Sequence, residues 1–191
     1  MLASGPARPR ITTSFYAEEA FYDRADDAWE AIATHLPPAE GGPFTAHSHA
    51  DAYRFLSAHT EHLFARELLT HFIRTLSAWS KDILGTLHLS TPQVRLYTDG
   101  CWRAVVRDDV QAEWHYMLSL TRGSTTKVTM LAEDLAEDVT RGARFSIGRA
   151  AVAPAQFNQL LVHRTARPYG IEARGAKDAG AGGIFLDGYL W

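Results

Sequence analysis

Six histidines stand where an imidazole could do chemistry: His47, His49, His59, His62, His115 and His163. An imidazole can hold a metal or carry a proton near neutral pH. His47 and His49 bracket Ser48, but the glutamate and glycines that would complete a metal motif are absent from their surroundings. His59 and His62 are three apart, and on a helix that spacing would let both rings reach one ion. Neither pair has the His-Glu-x-x-His spacing of a metalloprotease helix. Both read as solvated or capping histidines, with His47 and His49 in the loop before Asp51, a helix N-cap candidate. The sequence holds no Gly-x-Ser-x-Gly elbow and no Gly-x-x-x-x-Gly-Lys phosphate loop. The glycine-rich run 175–183 lacks the Lys-Ser/Thr and the helix that a phosphate loop opens, so it reads as a loop before the last strand.

His115 is the most telling. It lies in Trp114-His115-Tyr116-Met117-Leu118-Ser119-Leu120-Thr121, whose residues alternate in character as a strand's do. One face carries His115, Met117 and Ser119, the other Trp114, Tyr116, Leu118 and Leu120. The bulky face is expected to pack on helices and the mixed face to line an interior. A buried His and Ser there need hydrogen-bond partners.

The elements that must position these residues follow from periodicity. Phe15 to Leu36 has helical spacing and is stopped by Pro37-Pro38. Thr60 to Leu84 carries Leu63, Phe64, Leu68, Phe72, Ile73, Leu76 and Trp79 at steps of three and four, with Gly85 as its C-terminal cap. Strand signals follow at 93–97, 102–106, 113–120, 126–131, 144–148, 157–162, 169–173 and 184–190. Helices first and strands second predict an α+β fold, with N-terminal helices packed on a jelly-roll barrel. The expected layout is a single domain over 1–191, with a disordered arm at 1–12, a mainly helical part at 13–90 and the barrel at 91–191. The net charge of −3 argues against nucleic acid as a partner. No apolar stretch reaches the length of a membrane span, and no secretory signal is expected. A lone cysteine, Cys101, leaves no internal disulfide and suits a reducing cytoplasm.

With these elements in place, the second half resembles the 2-oxoglutarate/Fe(II)-dependent oxygenases, in particular their prolyl-hydroxylase-like branch with its double-stranded β-helix. Arg95-Leu96-Tyr97-Thr98-Asp99-Gly100 looks like the strand before the His-x-Asp metal motif. Tyr116-Met117-Leu118-Ser119-Leu120-Thr121 is similar to the next core strand. Pro154-Ala155-Gln156-Phe157-Asn158-Gln159-Leu160-Leu161-Val162 is similar to the strand leading to the distal His, and Phe185-Leu186-Asp187-Gly188-Tyr189-Leu190 to the closing strand. The resemblance implies an iron site and a 2-oxoglutarate arginine, and the chain departs at those places. Arg107 stands at the first His, Asp109 keeps the carboxylate, Tyr169 stands at the distal His, and Gly182 or Gly183 at the arginine. A guanidinium keeps its proton and cannot replace an imidazole ligand.

The resulting expectation is a metal-independent enzyme with no cofactor, acting on a small organic substrate in specialised biosynthesis. Arg107 and Asp109 would form an ion pair, or Arg107 would grip a substrate carboxylate or enolate. Tyr169 would donate to developing negative charge and His115 would be the base. Trp102, Met117, Ser119, His163 and Tyr189 would line the substrate site. Three alternatives stand beside it. Arg107 and Asp109 could merely plug the old metal cavity. The chain could be a homodimer or the non-catalytic partner of another enzyme, docking through Phe15, Tyr16, Phe21 and Tyr22. It could also be an oxygenase with unusual ligands, His115 or His163 with Asp109.

Overall fold

The computed structural model describes residues 15–38, 40–50, 52–86, 88–106, 110–123, 126–131, 150–173 and 181–191. The second half alternates between two layers, with one consecutive pair of strands kept inside a layer. β4 (Gln93–Tyr97), β6 (Trp114–Ser119), β9 (Gln159–Arg164) and β11 (Gly183–Leu190) lie side by side in the order β9-β6-β11-β4. β5 (Trp102–Val106), β7 (Thr126–Leu131), β8 (Ala150–Pro154) and β10 (Tyr169–Ala173) form the other layer, in the order β5-β10-β7-β8. All these pairings are antiparallel. This alternation makes a curled, jelly-roll-like sheet, bent where β3 (Tyr53–His59) pairs with β4 at one end and β5 at the other.

The N-terminal part differs from the helical expectation. Phe15–Glu18 is a strand, β1, paired with β9, and the first helix, α1, spans only Ala25–Ala33. Phe15 and Tyr16 serve opposite faces, a period of two that overrides the helical spacing. Thr45–His49 forms β2, a hairpin partner of β3, so His47 and His49 sit on a strand. His59 ends β3 and His62 lies in a short 3-10 turn, so the two do not share a helix face. α2 spans Arg66–Leu84 and ends on Gly85, whose φ of 72° is the left-handed cap expected of glycine. The expected strand at 144–148 and the helix cap at Asp51 lie outside the described residues. β9 begins later than expected because Asn158 turns the chain at φ 59°. Its side chain accepts the Tyr22 N–H at 2.8 Å and donates to the Tyr22 carbonyl at 2.9 Å, pinning the loop before α1.

Residue parity sorts β4, β6, β9 and β11 into two environments. Even positions (Val94, Leu96, Trp114, Tyr116, Leu118, Leu160, Val162, Ile184, Leu186) form one apolar cluster with Ile32 of α1 and Leu68, Phe72 and Leu76 of α2. Odd positions face the barrel interior, where Tyr97, Met117, Leu161 and Phe185 meet Val128, Met130, Tyr169 and Ile171 from the other layer. Of the N-terminal aromatics, Tyr16, Phe21 and Tyr22 belong to the first cluster and Phe15 packs against the second. The Tyr16 ring lies 5.8 Å from both Trp79 and Trp114, Phe21 packs edge-on to Trp79, and Tyr22 is buried. Tyr22 is fully packed, while Phe15, Tyr16 and Phe21 are half-buried against the sheet and α2. No described helix is long and apolar enough to cross a membrane.

Candidate functional site

The inward, odd-numbered positions of an apolar barrel carry a polar row. Register aligns His115 with His163 on one side and Tyr189 on the other, and Met117 with Asp187. His115 Nδ1 lies 3.1 Å from His163 Nε2, and His115 Nε2 lies 3.4 Å from Asp187 Oδ2. Arg95 of β4 closes the row with its Nε 2.8 Å from the same Asp187 oxygen. His115 and His163 have no exposed surface, and Asp187 is 2 % exposed. From the opposite layer, Tyr169 lays its ring 4.9 Å from both histidines. The Arg103 guanidinium stands 4.5 Å over that ring, and Tyr189 stacks 5.0 Å from His115.

Hydrogen bonding orders the protons. His163 Nδ1 faces the Arg164 carbonyl at 2.9 Å, and a carbonyl only accepts, so Nδ1 carries the hydrogen. Burial, and then the neighbouring His115, push His163 well below the ordinary imidazole pKa. The ring is therefore neutral, and its Nε2 accepts. His115 must then donate through Nδ1, which leaves Nε2 of a neutral His115 bare toward Asp187 Oδ2. Two acceptors at 3.4 Å need a proton between them. Either Asp187 is a carboxylic acid donating to His115, or His115 is an imidazolium donating to the carboxylate. Burial raises Asp187 to about 6, against the pull of Arg95 and Arg103. Burial thus moves Asp187 toward the acid form that this contact calls for.

These donors do not fit an iron triad. Among the described residues no three His, Cys, Asp or Glu side chains gather to hold a metal. His163 and Asp187 occupy opposite nitrogens of His115, so they cannot converge on one ion with it. Arg95 and Arg103 also bring positive charge into the barrel. A 2-oxoglutarate arginine at 183 is excluded by space, because a Cβ there would lie 2.6 Å from Thr126 Cγ2 and 2.9 Å from its Oγ1.

Of the residues picked from sequence, His115, His163, Tyr169 and Tyr189 come together, with Met117 buried in the same interior. Ser119 does not join them. It lies four positions from His115, about 13 Å along an extended strand, and its hydroxyl accepts the Thr121 N–H at 3.3 Å. Trp102 pairs with Arg54 and Glu172, both exposed, on the outer face, and its neighbour Arg103 points inward in its stead. Arg107 and Asp109, and with them the ion pair, the plug and the Asp109 ligand, lie outside the described residues. Arg95, Arg103 and Asp187 are additions. Their signal was a charge on the odd, inward parity of strands otherwise apolar.

No protein-family model matches the sequence, and no curated protein matches it. Structural comparison does find relatives. A prolyl-4-hydroxylase from Pseudomonas putida superposes with a TM-score of 0.64 at 14 % identity, over 94 % of this chain and 92 % of that one. The fold is that of the 2-oxoglutarate/Fe(II) oxygenases. Two enzymes of nogalamycin biosynthesis share it. The α-ketoglutarate-dependent epimerase SnoN has a TM-score of 0.61 at 13 % identity, over 93 % of this chain and 78 % of its own. The carbocyclase SnoK has a TM-score of 0.60 at 10 % identity, over 93 % and 79 %.

Proposed function

We propose that this oxygenase-like protein is an enzyme that works by proton transfer on a small organic substrate, without iron or 2-oxoglutarate. The observation that carries the reading is the row Arg95–Asp187–His115–His163, four ionisable side chains in contact inside the barrel, which we read as an acid–base pair that shares one proton. Arg95 lowers the free energy of the Asp187 carboxylate, and burial raises it, which leaves a group that exchanges its proton near neutral pH. His163 fixes the His115 tautomer. Tyr189 is only half-buried and stacks on His115, so it is the side chain that a substrate would displace to reach the pair. Arg103, also half-buried, would hold an anionic group of the substrate. Isomerisation, elimination or cyclisation fits this set, and a place in specialised biosynthesis in the cytoplasm is part of the proposal. Turnover of candidate substrates by chelator-treated protein should equal that of untreated protein. Activity that vanishes on chelation and returns with Fe(II) would falsify the reading.

A second reading, a non-catalytic partner of another enzyme, draws on the complete burial of His115, His163 and Tyr169. It predicts that the interior exists for stability alone. Co-purification with an enzyme, together with no binding of any small molecule by the isolated chain, would favour it.

A further inference from the structure

On the helical side of the major sheet, away from the barrel interior, lies a cavity of about 370 Å³ lined by Arg24, Arg66, Glu67, Thr70, His71 and Arg74. Arg66, Thr70 and Arg74 are spaced i, i+4, i+8 on α2, about 200° around the helix from the buried Leu68, Phe72 and Leu76. Arg24 enters from the turn before α1 and is ion-paired with Asp27 at 2.7 Å. His71 faces Asp23 at 3.7 Å. Arg66 and Arg74 have no ion pair among the described residues, and Glu67 is the one carboxylate in the wall.

Positive charge gathers on this space. Arg66 is the first residue of α2, where the helix dipole and the free N–H groups are positive, and Ala65 supplies no side-chain cap. Two further guanidiniums close on the same space in a chain of net charge −3. An anion is the complementary occupant. It would pair with the arginine forks, accept from the Thr70 hydroxyl and reach the His71 ring. The volume suits a small molecule.

We propose that this cavity is a binding site for a small phosphorylated molecule, with Arg66 and Arg74 as its principal anchors. The site is independent of the barrel and of the acid–base reading. The test uses inorganic phosphate as the probe, titrated into the full chain at ionic strength held constant with chloride, read by calorimetry and by melting temperature. Saturable one-to-one binding is expected, weakened about tenfold or more in the double variant Arg66→Gln/Arg74→Gln. In chloride alone that variant should melt no lower than the wild type, because both arginines are exposed and neither makes an ion pair among the described residues. Arg54→Gln, an exposed arginine on β3, should bind phosphate like the wild type. A phosphate effect that never saturates, or that survives unchanged in the double variant, overturns the proposal.

Discussion

His163 donates through Nδ1 to a main-chain carbonyl, and that one hydrogen bond orders the protons of three residues. The consequence is a pH signature with two opposing parts. His163 is held below the ordinary imidazole pKa, so the unfolded chain takes up a proton there first. Its contribution to stability is complete above the ordinary value of 6.5 and is lost as pH falls. Asp187 is raised from 3.8 to about 6, so the folded chain takes up that proton first. Its contribution is complete below 3.8 and is lost as pH rises through 6, a change of about 3 kcal/mol. Between these limits the slopes cancel in part. Asp187→Asn removes one of them, so its melting temperature should fall more steeply than the wild type's as pH drops from 6.5 toward 4. It should also be destabilised at pH 7 by roughly 3–5 kcal/mol, since Arg95 is left buried without its counter-ion. Parallel wild-type and variant melting curves across that range would refute the shared proton. His115 was legible in the sequence because its strand alternates cleanly. Asp187 and Arg95 were not, because a lone charge in an apolar strand marks an inward or an outward face equally well until register is known.

Register is the property of elements that single residues do not carry. β6 and β11 were readable as strands, but nothing local states that Tyr189 lies opposite His115 or Asp187 opposite Met117. The end of α2 was readable to the residue, because its apolar steps and its Gly85 cap are local signals, but its start was placed six residues early, at Thr60, where the chain makes a 3-10 turn instead. β1 and β3 were not readable, since their pairing with β9 and β4 is a tertiary event, and β2 pairs only with β3. The start of β11 carries a sharp constraint at this scale. Gly183 sits against Thr126, so Gly183→Ala should destabilise by about 1–3 kcal/mol through overpacking. Thr126→Ala removes both close atoms, and in that background the same change should lose most of its effect. A double-mutant cycle on chemical denaturation reads the coupling, and additive values would show that the two positions do not press on each other.

At the scale of the whole molecule, the chain has the double-layered barrel of the solved structures it resembles, and its interior holds an ion pair, two histidines and a tyrosine. A barrel whose interior is already filled by an ion pair and aromatic rings should gain nothing from the cofactor pair of that fold. Ligand linkage makes this measurable without knowing a substrate. A ligand present at a hundred times its dissociation constant stabilises by about 2.7 kcal/mol. For a chain of this size that is a rise of roughly 5–10 °C in melting temperature. Fe(II) and 2-oxoglutarate, added together under anaerobic conditions, should move the melting temperature by no more than matched sodium chloride does. Arg107→His restores only the first ligand inferred from sequence, while Tyr169 and Gly183 stay as they are, so it should be equally silent. A cooperative shift of several degrees that needs both Fe(II) and 2-oxoglutarate would place a working cofactor site in this barrel, and the acid–base reading would then give way to an oxygenase with an unusual ligand set.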